Sequence, residues 1–210
     1  MSEEKDVPNW LRWARELHAI GGVGLLYSVN EFDRLRYQRL VDMAAEMISS
    51  HSDIPEEEIK VALGAQAGYV TPKLDVRGAV FMKGQVLLVK EVTDGLWSLP
   101  GGWADVNEAP SHMVEREVLE ETGLTVAARK IVGVYEANRN REPIEVFHSY
   151  KLLFLCDYLQ GELRISHETP EVKYYPLESL PPLSTNRTRD NYIIEAYRHF
   201  CDPSLPAVFD

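Results

Sequence analysis

GWADVNEAPSHMVEREVLEETGL, residues 102–124, sets three glutamates on one face of a predicted helix over 109–122. Glu117, Glu120 and Glu121 stand at i, i+3 and i+4, which at about 100° per residue places them within an arc of roughly 100°. Like charges at this spacing repel by a few tenths of a kcal/mol per pair, and by more once they are partly buried. A solvated acidic face is the plain reading of such a segment. A divalent cation is the functional one, and the carboxylate oxygens suit Mg²⁺ or Mn²⁺; no HxH or HExxH pair is present to favour zinc. Val114, Val118 and Leu119 are expected to turn to the core and fix the helix rotation, with Gly123 ending the helix and Leu124 packed behind it.

The same stretch concentrates charge. The chain carries 33 acidic and 22 basic residues, a formal net charge of −11. Between Asp105 and Glu121 six acidic residues face Arg116 alone, a net of −5, and residues 1–66 hold 12 acidic and 7 basic residues, again −5. This balance opposes loose attraction to nucleic acid or to an anionic membrane. With 210 residues, 45% hydrophobic and 26% charged, the composition is that of a globular chain with room for two modest domains. The acidic start MSEEKDVPNW is unlike a secretory signal and no apolar run reaches the length of a membrane span, so a cytoplasmic protein is expected. Cys156 and Cys201 form no CxxC pair, which removes a disulfide framework and thiol redox chemistry.

Working outward, the first third reads as helical. Trp10, Trp13, Ala14 and Leu17 recur at helical spacing before Gly21–Gly22, where a stop is expected. Tyr37, Leu40, Val41, Ala44, Met47 and Ile48 form a second stripe behind a cap at Asn30, and a third helix begins near Asp53 with Pro55 in its first turn, ahead of Glu56–Glu58. From about residue 68 the pattern turns to strands. VRGAVF and QVLLVK flank a hairpin turn at Lys83–Gly84, and KIVGVYEA, VFHSYKLLFLC and VKYYPL follow before a last helix over 187–200. The expected organisation is a helical domain over 1–66 and an α+β domain with a mixed β-sheet over 67–210.

The motif spells G-x5-E-x7-R-E-U-x-E-E-x-G-U, with U aliphatic, through Gly102, Glu108, Arg116, Glu117, Val118, Glu120, Glu121, Gly123 and Leu124. Seven fixed residues at these spacings arise by chance on the order of once in a million chains of this size. It resembles the Nudix box, and the preceding WSLPGG is similar to the same family. The resemblance implies an α/β/α sandwich and hydrolysis of a nucleoside diphosphate linked to a second group X, with two or three divalent ions per site. It implies Glu117, Glu120, Glu121 and the Gly102 carbonyl as metal ligands. Glycine there lets the backbone approach metal and phosphate. Arg116 is expected to pair with Glu108 and hold the carboxylates. For the general base, Glu168 in SHETPEV is the first candidate, Glu171 the near alternative and a box glutamate the third.

Over nearly the whole chain the resemblance extends to bacterial Nudix hydrolases of CDP-choline. It implies release of CMP and phosphocholine, homodimerisation, and a 3′→5′ exoribonuclease side activity at RNA ends. The helical domain is expected mainly to dimerise. Choline would need aromatic faces, for which Trp97, Trp103, Tyr69, Phe147 and Tyr150 are candidates, Trp103 foremost. Lys73, Arg77, Arg139 and Arg141 are candidate phosphate contacts, while Asp75 is a candidate partner for a neighbouring cation. ADP-ribose or another nucleoside diphosphate sugar is the alternative substrate, and non-catalytic nucleotide sensing is the alternative of another class.

Overall fold

Helix α1 runs from Asn9 to Tyr27 without a break at Gly21–Gly22, where the sequence predicts a stop. The reason lies in its neighbour α2 (Glu31–Ser49). A Cβ on Gly21 would come within 2.6 Å of Val41 Cγ2 and 2.9 Å of the Tyr37 carbonyl oxygen. Glycine here is the contact surface of two close helices, and it stays helical because the contact offsets its poor propensity. Helix α2 starts as expected, with the Asn30 side chain accepting from Asp33 N at 2.8 Å. Helix α3 (Glu56–Gly64) follows Pro55 and carries three acidic residues in its first turn.

The computed structural model describes residues 7–66, 68–137 and 146–210, which fall into two units. The first contains α1–α3, the chain up to Pro72 and residues 146–148. Its core is Ala14, Val41, Ala44, Ala45, Ile48, Ile59 and Leu63, with Val146 and Phe147 packed against it.

The second unit is built on a mixed seven-stranded sheet of order β3-β2-β1-β5-β4-β7, with β6 paired to β2. The strands are β1 (Lys73–Met82), β2 (Gln85–Lys90), β3 (Trp97–Ser98), β4 (Leu124–Glu136), β5 (Ser149–Gly161), β6 (Val172–Pro176) and β7 (Val208–Phe209). Strands β1 and β2 are joined at Lys83–Gly84, whose φ values of 53° and 75° suit a tight hairpin. Strand β1 pairs β5 in parallel, which sets Asp75 opposite Lys151.

Alternation along the strands divides the core in two. Val76, Val80, Leu87 and Val89 join Met113, Val114 and Val118 of α4 (Pro110–Thr122), whereas Ala79, Phe81, Val86 and Leu88 join Tyr192, Ile193 and Ala196 of α5 (Asp190–Cys201). A helix therefore covers each face, giving the expected α/β/α sandwich behind a helical region. Leu119 departs from expectation: it is 46% exposed, because Met113, Val114, Val118 and Thr122 define the buried arc of α4 and position 119 falls outside it.

Gly21→Ala should lower the melting temperature, since overpacking by about 1–3 kcal/mol outweighs the gain in helix propensity of about 1 kcal/mol. Gly64→Ala, with nothing within 4 Å of its added Cβ, should leave it level or higher. Thermal denaturation followed by circular dichroism separates the two; a Gly21→Ala chain melting at or above the parent would refute the close-contact role.

Candidate active site

The site is assembled where α4 meets the turn after β3. Segment 99–104 lies along β1, with Val76 N donating to Gly102 O at 2.9 Å, Gly78 N to Pro100 O at 2.9 Å and Ala104 N to Leu74 O at 2.7 Å. Gly101 has φ 139°, and a Cβ there would lie 2.0 Å from the Val76 carbonyl oxygen, so only glycine fits. Its N–H donates to Glu121 Oε2 at 2.9 Å, which ties the turn directly to the helix. A Cβ on Gly102 would stand 3.3 Å from Glu117 Oε2.

Arg116 organises the acidic residues around it. Its guanidinium donates to both Glu108 oxygens at 3.1–3.2 Å and to Asp105 at 3.0 Å, and it pairs with Glu117 at 3.0 Å and Glu120 at 2.9 Å. The expected Glu108 pair is present, and three further carboxylates share the same cation. Glu115, the sixth acid of the stretch, accepts from Ala128 N at 2.7 Å and serves the fold.

The three box glutamates are not equivalent. Glu121 lies within the buried arc of α4 and is 7% exposed, whereas the Glu120 side chain is 58% exposed. Burial pushes the Glu121 carboxyl up to about 8, against the opposing pull of the Arg77 charge and the Gly101 N–H. Burial also raises Glu117, with the Arg116 charge opposing. Among the described residues no three His, Cys, Asp or Glu side chains are arranged to hold a metal ion, because Glu117 and Glu120 turn to Arg116 and Glu121 turns to Gly101. A divalent cation nonetheless suits the residues: two desolvated carboxylates, Glu117 and Glu121, offer hard oxygen donors beside a glycine turn.

The loop bearing Glu168 is fixed to this helix. Thr169 Oγ1 donates to the Glu121 carbonyl oxygen at 2.8 Å, and Ser166 closes the turn through Thr169 Oγ1 at 2.8 Å and the Thr169 N–H at 3.1 Å. Glu168 is exposed beside His167, with Nε2 to Oε1 at 3.3 Å. Glu171 is clamped instead: Lys173 at 2.6 Å and Lys90 at 2.7 Å hold its carboxyl down at about 2.

The expected substrate contacts divide. Trp103 is 49% exposed, with Lys73 Nζ 5.8 Å from its ring centroid. Arg77, expected at the phosphates, is 5% exposed and forks onto Asp75 at 2.9 and 3.0 Å. Phe147 packs in the helical unit, Trp97 is buried in the sheet core, and Arg139 and Arg141 lie outside the described residues. Sequence reasoning missed a second polar cluster, in which Arg187 meets Glu91 at 3.2 Å and Asp94 at 3.5 Å while Ser184 donates to Asp94. No motif marks these residues; only folding joins them. It also missed Thr169, whose only sequence signal is its place directly after Glu168.

Residues 72–197 match the NUDIX domain model, and residues 8–63 match a model described as a UDP-X-like N-terminal oligomerisation domain. The chain belongs to the Nudix family of hydrolases. It is 34% identical over 201 residues to YjhB of Bacillus subtilis (strain 168), provisionally named an ADP-ribose pyrophosphatase, covering 96% of this chain and 97% of that one. Among solved structures, an ADP-ribose pyrophosphatase from Streptococcus suis 89-1591 matches with 36% identity and a TM-score of 0.60, over 67% of this chain and 100% of its own. A UDP-X diphosphatase matches over 96% of this chain and 98% of its own, with 26% identity and a TM-score of 0.62. Hydrolysis of nucleoside diphosphate derivatives is therefore the activity class of this hydrolase, and divalent metal ions are in general use across its family. No helix among the described residues is long and apolar enough to cross a membrane.

Arg116→Met should destabilise the fold in metal-free buffer by on the order of 1 kcal/mol, as befits a partly exposed cation, and so lower the melting temperature, and Mg²⁺ should restore more of the loss than it adds to the parent. Scans with EDTA and with Mg²⁺ test this; an equal Mg²⁺ effect in both chains would refute the shared-cation account.

Proposed function

We propose that the enzyme is a divalent-metal-dependent pyrophosphohydrolase of nucleoside diphosphates joined to X, with a sugar as X ahead of choline. The observation carrying the reading is the buried Glu121, with Glu117 beside it, facing the Gly101–Gly102 turn. Glu117, Glu120, Glu121 and the Gly102 carbonyl would hold two or three Mg²⁺ or Mn²⁺ ions. When bound, such ions neutralise the diphosphate oxyanions and acidify an attacking water. Arg116 keeps the carboxylates gathered, and Glu168, on its anchored loop, takes the proton of the water. Glu171 is a poorer base because its two lysines favour the ionised, weakly basic carboxylate.

The order of substrates reverses the one expected from the sequence. A quaternary ammonium needs open aromatic faces. In the sheet unit Trp97 is buried, and Lys73 stands over Trp103 with the same charge that choline would bring. That pair suits a base or sugar stacked on the indole with a phosphate near the ammonium. The name ADP-ribose pyrophosphatase, borne by two of the similar proteins, supports the same order.

Phosphate release after coupling to a phosphatase, measured for ADP-ribose, UDP-glucose and CDP-choline with Mg²⁺ or Mn²⁺, tests the reading; short RNA provides an arm for the exoribonuclease expectation. ADP-ribose or UDP-glucose should lead, EDTA should abolish turnover, and Glu121→Gln should reduce it by about 10²-fold or more. CDP-choline as the best substrate would restore the original order. Full turnover in Glu121→Gln, or none in the parent chain, would favour the sensing alternative.

Homodimerisation through the helical unit belongs to the same proposal. Trp13, Ile20, Leu26 and Tyr27 of α1 and Phe32 and Leu35 at the start of α2 are each at least 48% exposed, and exposed apolar side chains concentrated on two elements are what an interaction surface provides. Light scattering should give a dimer mass for the parent and a monomer mass for a Trp13→Glu, Tyr27→Glu double variant; an unchanged mass would place the interface elsewhere.

A further inference from the structure

Arg77, Asp75 and Lys151 form a charged cluster with every member at most 5% exposed. Arg77 Nε and Nη2 donate to the two Asp75 oxygens at 2.9 and 3.0 Å, and Lys151 Nζ reaches Asp75 Oδ2 at 3.2 Å from the parallel strand β5. The remaining arm of the guanidinium, Nη1, donates to the Leu99 carbonyl oxygen at 3.1 Å and lies 3.9 Å from Glu91 Oε1. Burial disfavours the Asp75 charge, yet the two cations together hold its carboxyl below the usual carboxylate range. Removing three such side chains from water is expensive, and well-packed apolar residues often stabilise a fold as well or better. Stability alone is thus a weak reason for the cluster.

Its geometry supplies a stronger one. Leu99 begins the segment that carries Gly101 and Gly102, and β1 grips that segment at three successive residues: Val76 holds Gly102 O, Arg77 holds Leu99 O and Gly78 holds Pro100 O. Two of these grips are backbone amides that any sequence would provide. The third is a side chain, held in place by Asp75, which occupies the other two arms of its fork and is itself paired with Lys151. Beyond that grip the turn delivers Gly101 N–H to Glu121.

We infer that Arg77 is a positioning residue, locked by Asp75 and Lys151, that fixes the Leu99–Gly102 turn against Glu121 and so sets the affinity for the activating cation without touching the nucleotide. The inference rests on the metal-dependent reading above. A lysine at position 77 keeps the charge, but its single ammonium cannot serve both Asp75 oxygens and the Leu99 carbonyl in the same fork.

The test is Mg²⁺ activation of nucleoside diphosphate hydrolysis by the full chain, comparing the parent with Arg77→Lys and Lys151→Gln. Loss of a partner behind the ligands typically costs 10–100-fold in metal affinity or activity. Arg77→Lys should raise the half-activating Mg²⁺ concentration by about tenfold, while KM at saturating Mg²⁺ stays within about twofold of the parent. Lys151→Gln, which leaves the Arg77 fork whole, should shift it in the same direction by about threefold. A rise in KM at saturating Mg²⁺ with unchanged metal activation would overturn the inference and return Arg77 to the phosphates. Lower melting temperatures with both kinetic constants unchanged, or failure of both variants to fold, would reduce the cluster to a structural role and equally overturn it. Absence of Mg²⁺-dependent turnover in the parent is a separate result, which refutes the functional reading itself.

Discussion

Crowded negative charge is the constraint on which the sheet unit depends. Four carboxylates converge on the guanidinium of Arg116, a planar five-donor group able to serve several acceptors at once. A lysine, as a single point charge, could not distribute itself in this way. The arrangement makes the acidic stretch compatible with a folded helix before any cation binds. Glu121 is held differently, because it occupies a position that the helix would otherwise give to an apolar residue.

Helix rotation links this chemistry to the core. Met113, Val114 and Val118 are fully buried, and once they are seated the directions of residues 117, 120 and 121 follow from helical geometry. The end of the helix is equally fixed. Gly123 has φ 77° and its N–H bonds the Leu119 carbonyl oxygen, while Thr169 takes up the Glu121 carbonyl oxygen from a distant loop. Core and carboxylate face are thus two sides of one helix, and a substitution on either is felt on the other.

The helical unit obeys a different rule. Its apolar stripe on α2 is consumed internally by Val41, Ala44, Ala45 and Ile48, so the surface available for self-association comes from other residues, chiefly on α1 and at the start of α2. Glycine in α1 illustrates why local reading misjudges it. A Gly–Gly pair in isolation weakens a helix, yet beside the Tyr37 and Val41 backbone Gly21 permits an approach that alanine would block.

Much of the site was legible in the chain itself. The box spacing, the Arg116–Glu108 pair, the Asn30 cap and the Lys83–Gly84 hairpin depend on interactions within a few residues or one helix, and these follow from periodicity and local hydrogen bonding. Sequence alone therefore determined the family, the acidic helix and the class of chemistry. The tertiary structure decided which groups those local elements meet. Parallel pairing of β1 with β5 brought Lys151 to Asp75, folding buried Arg77 against the same carboxylate, and Lys90 and Lys173 closed on Glu171. Such outcomes rest on contacts between residues far apart in the chain and on the desolvation those contacts impose, neither of which a linear pattern encodes.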